Sequence, residues 1–516
     1  MPTSEASLIV SDAELALFAT ASLDRNPLHV DDGYASRTAY GQRVSYGILA
    51  ALACFGRLEA RPGRTLAGVS LDFQRPVFPN VTYRLEVRDD NENEATLHLR
   101  DGTALLLRAK VRFLQGARET LVSGEAMAGR DEAIDLSEQD IAPGDPIRGR
   151  YSPERQALRD LSSRYGLDER GIPQLQIAAL LLSSYVVGME IPGKRALFSR
   201  LALDFDATAA RRQPWLDYRG SVEEFDQRYG LVTLQLGADS GGSVARGELR
   251  AFVRPPSPTI QSAALAARLP IGQGLLGKTA VVIGGNRGLG GALSLGMALQ
   301  GARVIASFRR GKDAAALLAT EARRLTTDGE IIPRQLDAAD AAALDTLRRE
   351  LAGGIDILIC SASPPLLGLP FDAAGVARIN AFISTAVSLV STPVAALGAR
   401  LAARRGVAVA ISSAAVREPL VEWPHYVAAK CAIEGLMRTA ALAYKDVGFL
   451  IVRPPRLLTD MTNTPMGRLG ALGVEWAAAI ILQRLLSAPV ANAVELLDVF
   501  PNVNAEGDEG TRWRVT

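Results

Sequence analysis

Two groups of residues in this 516-residue chain have types and spacings suited to chemistry. The first is the run LDRNPLHVDDGYA, which gathers Asp24, Asn26, Pro27 and His29 ahead of a small-residue helix opening near Gly47. An aspartate and a histidine five residues apart on a loop can reach one substrate atom from two sides, as adding or removing water requires. His29 would exchange the proton next to a carbonyl, and Asp24 would hold the hydroxyl or water. Backbone N–H groups at a helix start such as Gly47 would meet the charge that develops on the carbonyl oxygen, with Asn26 as a further polar group facing substrate.

The second group is Ser413, Tyr426 and Lys430. Tyr426 and Lys430 are four apart, so on a helix they share a face, and a nearby ammonium lowers the pKa of a phenol from its free value of about 10. Tyr426 could then protonate a carbonyl oxygen while hydride arrives at carbon, and Ser413 would hold that oxygen. Upstream, KTAVVIGGNRGLGGAL runs from a strand through Gly284, Asn286, Arg287, Gly288, Leu289 and Gly290 into a helix, the context in which glycines admit a pyrophosphate to a helix N-terminus. Arg309 and Arg310 end the next strand where an NAD site would carry an acid, so with Arg287 they favour a 2′-phosphate and hence NADPH.

These groups need scaffolds of two kinds. From Gly277 onward, short apolar runs (TAVVIGG, ARVIASF, DILICSAS, VAVAISS, FLIVRPP) alternate with Ala-rich helical stretches, which predicts a parallel sheet with helices on both faces. The first 255 residues carry a weak internal repeat instead. A helical stretch, a Pro-Gly turn and a strand ending Leu-Asp-Phe close at Phe73 and again at Phe205, and LRAKVR at Leu107 is echoed by LRAFVR at Leu249. Each half would be one long helix wrapped by an antiparallel sheet. The Pro/Ser-rich run VRPPSPTIQ separates the two scaffolds. The expected organisation is a catalytic domain over 1–130, a second, degenerate copy over 131–256, a linker over 257–275 and a dinucleotide-binding domain over 276–516.

Composition narrows the partners. Fifty-seven Lys and Arg against 56 Asp and Glu leave a formal charge of +1, no field for nucleic acid or an acidic membrane face. The three cysteines (Cys54, Cys360, Cys431) lie far apart with only three histidines in the chain, so neither a disulfide framework nor a zinc site is expected. The N-terminus lacks the pattern of a targeting signal, which predicts a cytoplasmic location. The charge-free stretch Asn380 to Ala399 contains Pro393 and several hydroxyls, and reads as a buried helix rather than a membrane span.

D-x-N-P-L-H followed by a small-residue helix resembles the MaoC-like, R-specific enoyl-thioester hydratases and dehydratases of the hotdog fold, over about residues 10 to 115. That resemblance implies Asp24 and His29 as the catalytic pair and Gly47 as an oxyanion donor, with the histidine-free second half completing a double hotdog and shaping an acyl tunnel. Residues 276 to 500 resemble the short-chain dehydrogenase/reductase family through the glycine string, Asp337, Asn380, Ser413, Y-x-x-x-K and RPPRLLTDM. This resemblance implies a Rossmann-type doubly wound sheet, a proton relay from Asn380 to Lys430, Asp337 at the adenine, Ser361 and Ala362 beside the cofactor, and Thr459 at the nicotinamide amide. Ile283, Cys360-Ser361, Ser363 and Pro455 depart from the family's usual residues. Together the two implied activities give a ketoreductase/dehydratase acting on thioesters of acyl carrier protein or coenzyme A in fatty-acid-like or polyketide-like synthesis, as a homodimer or other homo-oligomer. The alternatives are the oxidative direction, hydrating enoyl-CoA and oxidising the product, and a ketoreductase with a non-catalytic hotdog scaffold.

Overall fold

The computed structural model describes residues 3–116, 124–206, 213–373, 375–488, 490, 494–499 and 513–515. The chain divides into two compact units, Met1–Ala35 with Gln42–Pro256, and Ser36–Gly41 with Ser257–Thr516.

The first unit runs β1 (Thr3–Ile9), α1 (Asp12–Ser22), α2 (Pro27–Val30), α3 (Asp32–Ala35), α4 (Gly47–Phe55), β2 (Arg64–Phe73), β3 (Thr82–Asn91), β4 (Glu94–Asp101) and β5 (Ala104–Gln115). Its second half continues with β6 (Pro146–Tyr151), α5 (Arg155–Tyr165), α6 (Gln174–Tyr185), a π-helical turn over Val186–Glu190, β7 (Ala196–Phe205), β8 (Leu216–Asp226), β9 (Leu231–Asp239) and β10 (Ser243–Val253). Strand β5 shows why a sheet forms: Leu107, Ala109, Val111 and Phe113 are buried, while Lys110 and Arg112 between them are exposed. That period of two lays one face on a core. Helices α4 and α6 are apolar nearly all round, so each must be enclosed. All eight residues from Ile48 to Phe55 and all eleven from Leu175 to Tyr185 are buried.

Ten strands form one sheet in the order β1-β3-β4-β5-β2-β7-β10-β9-β8-β6. The order is a palindrome of the repeat: β2 answers β7, β5 answers β10, and so outward to β1 and β6. The two Leu-Asp-Phe strands meet antiparallel at the centre, Gly68 opposite Asp204 and Asp72 opposite Arg200. The internal repeat is thus a double hotdog built on one continuous sheet over a single hydrophobic core.

The second unit comprises α7 (Ser262–Arg268), β11 (Thr279–Ile283), α8 (Gly288–Leu299), β12 (Arg303–Phe308), α9 (Lys312–Leu325), β13 (Glu330–Gln335), α10 (Ala341–Glu350), β14 (Ile357–Cys360) and α11 (Val376–Ala402). It closes with β15 (Val407–Ile411), α12 (Pro424–Ala443), β16 (Gly448–Arg453), α13 (Pro465–Arg468), α14 (Val474–Ser487), β17 (Val494–Val499) and β18 (Trp513–Val515). The sheet order is β13-β12-β11-β14-β15-β16-β17-β18, with β18 the one antiparallel member. The order reverses between β11 and β14, the switch point where doubly wound sheets bind ligands at the carboxyl ends of their strands.

Two expectations change here. The stretch 257–275 is more than a linker, because α7 packs on α8 and α14 through Leu265, and Leu269 and Leu275 beyond it are also buried in the second unit's core. Helix α11 is buried along one stripe (Ile379, Ala386, Val390, Pro393, Val394, Leu397, Leu401) and open on the other, rather than buried throughout.

Candidate active sites

In the first unit, Asn26 caps α2, its side chain accepting from the Leu28 N–H, and Pro27 takes the first helical position, where a missing N–H is harmless. This short helix aims His29. The His29 Nδ1 lies 2.7 Å from the Val44 carbonyl oxygen. A carbonyl can only accept, so Nδ1 carries the proton and Nε2 keeps its lone pair. Burial holds the imidazole down to about 4, and the Arg254 charge adds to that against the Val44 bond. His29 is therefore neutral at ordinary pH, a base. The ring lies 3.9 Å from that of Tyr46, whose hydroxyl donates to the Asp24 carbonyl oxygen at 2.7 Å. Tyr46 thereby fixes both residues at once.

Asp24 is 1% exposed, and burial raises its carboxyl from 3.8 to about 7 against the pull of two hydrogen bonds. Its Oδ1 accepts from the Asn26 N–H at 3.0 Å and its Oδ2 from Ser184 Oγ at 2.8 Å. A neutral base and a carboxyl that is protonated near neutrality are a matched acid/base pair. Helix α4 begins at Gly47 with no side-chain cap from Tyr46, leaving its first N–H groups to polar company from outside the helix. A Cβ at Gly47 would sit 2.9 Å from the Phe73 ring, so only glycine fits.

Asn26 departs from expectation. Its Nδ2 donates to the Gly188 and Gly193 carbonyls, both at 2.9 Å, and its Oδ1 caps α2, so the amide is wholly engaged as a strut. The histidine-free half also does more than pair strands, since Ser184 and Gly188 from α6 and its π turn contact Asp24 directly. Sequence reasoning missed Tyr46, Ser184 and Gly188. The available signal was a Ser-Ser pair in the otherwise apolar run LQIAALLLSSYVVG.

In the second unit, Ser413 stands just beyond β15 and Tyr426 and Lys430 lie one turn apart on α12. Burial raises the Tyr426 phenol above its usual value, and a bond from Ser413 pulls the other way. The expected lowering by Lys430 does not appear. Its Nζ, 5.4 Å from the phenol ring centroid, donates to the Ile411 carbonyl at 2.8 Å, and burial lowers the ammonium to about 8. Asn380 sits on the exposed side of α11, whose buried stripe runs through Ile379 and Ala386, and no direct bond joins it to Lys430 among the described residues.

The glycine loop fits a dinucleotide. Gly284 and Gly288 have φ of 76° and 53°, and a Cβ at Gly290 would sit 2.1 Å from the Gly284 carbonyl oxygen, so the backbone must be bare there. Helix α8 opens from Arg287 without a side-chain cap, which leaves donors for a phosphate. Thr459 lies against Gly288, and Ala362 against Gly284 with Ser361 leading into it from β14. The other expected contacts divide. Asn286 binds the Arg310 and Gly311 carbonyls, tying the loop to the end of β12, and the Leu289 side chain belongs to the core. Arg287 is paired with Asp460 at 3.1 Å and with the Ser36 carbonyl, so its charge is already answered. Arg309 lies 3.7 Å from Asp337, whose side chain also accepts from the Ala339 N–H. Arg310 is exposed and has no ion-pair partner among the described residues.

Residues 278–467 match the family model described as short chain dehydrogenase, and residues 1–106 match the MaoC like domain. The human protein named dehydrogenase/reductase SDR family member 2, mitochondrial, is 31% identical over 193 residues, covering 37% of this chain and 68% of that protein. An (R)-specific enoyl-CoA hydratase of Aeromonas caviae is 40% identical over 118 residues, covering 22% of this chain and 82% of that enzyme. The chain belongs to both families: it fuses a MaoC-like part to a short-chain dehydrogenase/reductase. Among solved structures, an alcohol dehydrogenase from the archaeon Thermococcus sibiricus, complexed with 5-hydroxy-NADP, is 22% identical and covers 43% of this chain and 95% of its own, at a TM-score of 0.38. In this MaoC–reductase fusion, Asp24 and His29 fall within the MaoC-like match, and Ser413, Tyr426 and Lys430 within the short chain dehydrogenase match.

Proposed function

We propose that this fusion reduces a 3-oxoacyl thioester to the 3-hydroxyacyl form in its second unit and dehydrates that product to the enoyl thioester in its first. The carrying observation is the opposed state of the first site: Asp24 raised to about 7 and His29 lowered to about 4, so that a proton donor and a free base coexist near neutrality. For dehydration, the C2 proton passes to His29 Nε2 as the C3–O bond breaks, and Asp24 gives its proton to the departing hydroxyl, which leaves as water. N–H groups opening α4 at Gly47 face the charge on the thioester oxygen. For reduction, Ser413 holds the ketone oxygen and Tyr426 protonates it, with Lys430 held beside the phenol by Ile411. A nicotinamide dinucleotide bound at the glycine loop supplies the hydride, and Arg310 favours NADPH through its 2′-phosphate.

One substrate serving both sites in turn gives the fusion its reason. Its carrier is acyl carrier protein or coenzyme A, and its setting is cytoplasmic chain-building synthesis by a homo-oligomer. The likeness to an enzyme named (R)-specific enoyl-CoA hydratase supports a second reading, hydration followed by oxidation. The test supplies purified chain with a 3-oxoacyl thioester and NADPH and follows products by mass. NADPH consumption with enoyl product is expected. No oxidation of NADPH, or arrest at the hydroxyacyl stage, refutes the paired reading, and tighter binding of NAD than NADP selects the oxidative one.

A further inference from the structure

Resting on that acid/base reading of Asp24 and His29, we propose that Ser184, from the half with no histidine of its own, is a positioning residue for the Asp24 carboxyl. The first half supplies one donor to this carboxyl, the Asn26 N–H to Oδ1 at 3.0 Å, and Ser184 Oγ supplies the other, to Oδ2 at 2.8 Å. Each oxygen is thereby held by one half of the unit. Ser184 is itself 5% exposed, too buried to take this bond as an accident of surface contact.

The surrounding backbone is shaped for the same grip. After Tyr185 the helix widens into the five-residue π turn Val186–Glu190. Such turns are uncommon and gather at functional sites. This one brings Gly188 under the carboxylate, where a Cβ would lie 2.5 Å from both oxygens. Asn26 binds the Gly188 and Gly193 carbonyls, and the Arg25 N–H meets Met189 Sδ at 3.1 Å, so the whole loop from Asp24 to Asn26 is clasped to the turn.

The titratable groups near Asp24 are His29 on α2, Tyr46 before α4, whose hydroxyl binds the Asp24 carbonyl, and Tyr151 on β6, whose hydroxyl binds the Ser22 carbonyl. None of them donates to the carboxylate among the described residues. Ser184 is the side chain that does so, and a hydrogen bond to the charged form both aims a carboxylate and favours its ionisation.

The experiment follows hydration of crotonyl-CoA by the full-length chain against pH, in wild type, Ser184→Ala and Ser184→Thr. The pair is active while it carries one proton, so the alkaline limb reports Asp24. Losing the hydroxyl should move that limb up by about one pH unit and lower kcat roughly tenfold, with KM changed less than about threefold. Ser184→Thr, which keeps the hydroxyl, should restore both limb and kcat. If Ser184→Ala does not fold, Gly188→Ala reads the same shift by pushing the carboxylate off Ser184. An unmoved limb in the Ala variant that folds, or a Thr variant that behaves like Ala, overturns the proposal. A wild-type chain that does not hydrate crotonyl-CoA overturns the acid/base reading itself.

Discussion

Replacing Asp24 by asparagine should separate the catalytic use of its carboxyl from the stability that its burial removes. In the folded chain burial holds this group at about 7, against 3.8 ordinarily. A carboxyl raised in the folded state contributes stability fully below the unfolded pKa, and that contribution is lost as pH rises through the folded pKa. At 1.36 kcal/mol per unit, the first unit should lose about 4 kcal/mol from this residue between roughly pH 4 and pH 7. An amide of the same shape does not titrate. The stability of Asp24→Asn relative to wild type should therefore climb by about 1.4 kcal/mol per pH unit across that window and level off above it. Urea titration read by pulse proteolysis of the first unit, at about pH 5 and about pH 8, measures the difference directly. The same variant should lose roughly 10²- to 10⁴-fold in hydration rate. A stability gap equal at the two pH values would refute the assignment of Asp24 as a buried carboxyl that is neutral below pH 7.

Three further outcomes test the separate sites. His29→Ala should abolish enoyl-CoA hydration while NADPH-dependent ketone reduction, measured on the same preparation, is retained. Tyr426→Phe should do the reverse, and loss of both activities in either variant would argue against two independent sites. Arg310→Ala should raise KM for NADPH about 10- to 100-fold, as losing one charge-assisted hydrogen bond implies, and leave KM for NADH within about threefold.

How much was legible in sequence depended on whether the determining contacts were local. The Asp24/His29 loop and the Ser413/Tyr426/Lys430 set lie within short windows, where a turn or a helical repeat places side chains by itself. The repeat ending at Phe73 and Phe205 forecast the halves because duplicated strands keep their pattern. The exposure of Asn380 was not legible, because which side of α11 is buried depends on α10 and α12 packing against it, not on its own motif. Arg287 was counted as a free cation because Asp460 lies far along the chain. Ser184 and Tyr46 carried no motif at all; one reaches Asp24 across the sheet's two halves, and the other works by its ring under His29.

The antiparallel pairing of β2 with β7 has a consequence for concentration. Two separate hotdog chains would have to find one another, and the seam between them would come apart on dilution. Here the partners of that seam, from Gly68 opposite Asp204 to Asp72 opposite Arg200, are tethered in one chain. Their effective concentration is set by the connection and is on the order of millimolar, however dilute the protein becomes. Hydration activity per chain should accordingly stay constant on dilution even where any association between chains is lost. A seam that cannot dissociate also leaves one half free of the need to be an enzyme by itself, so the half carrying Ser184 can hold another residue's carboxyl in place.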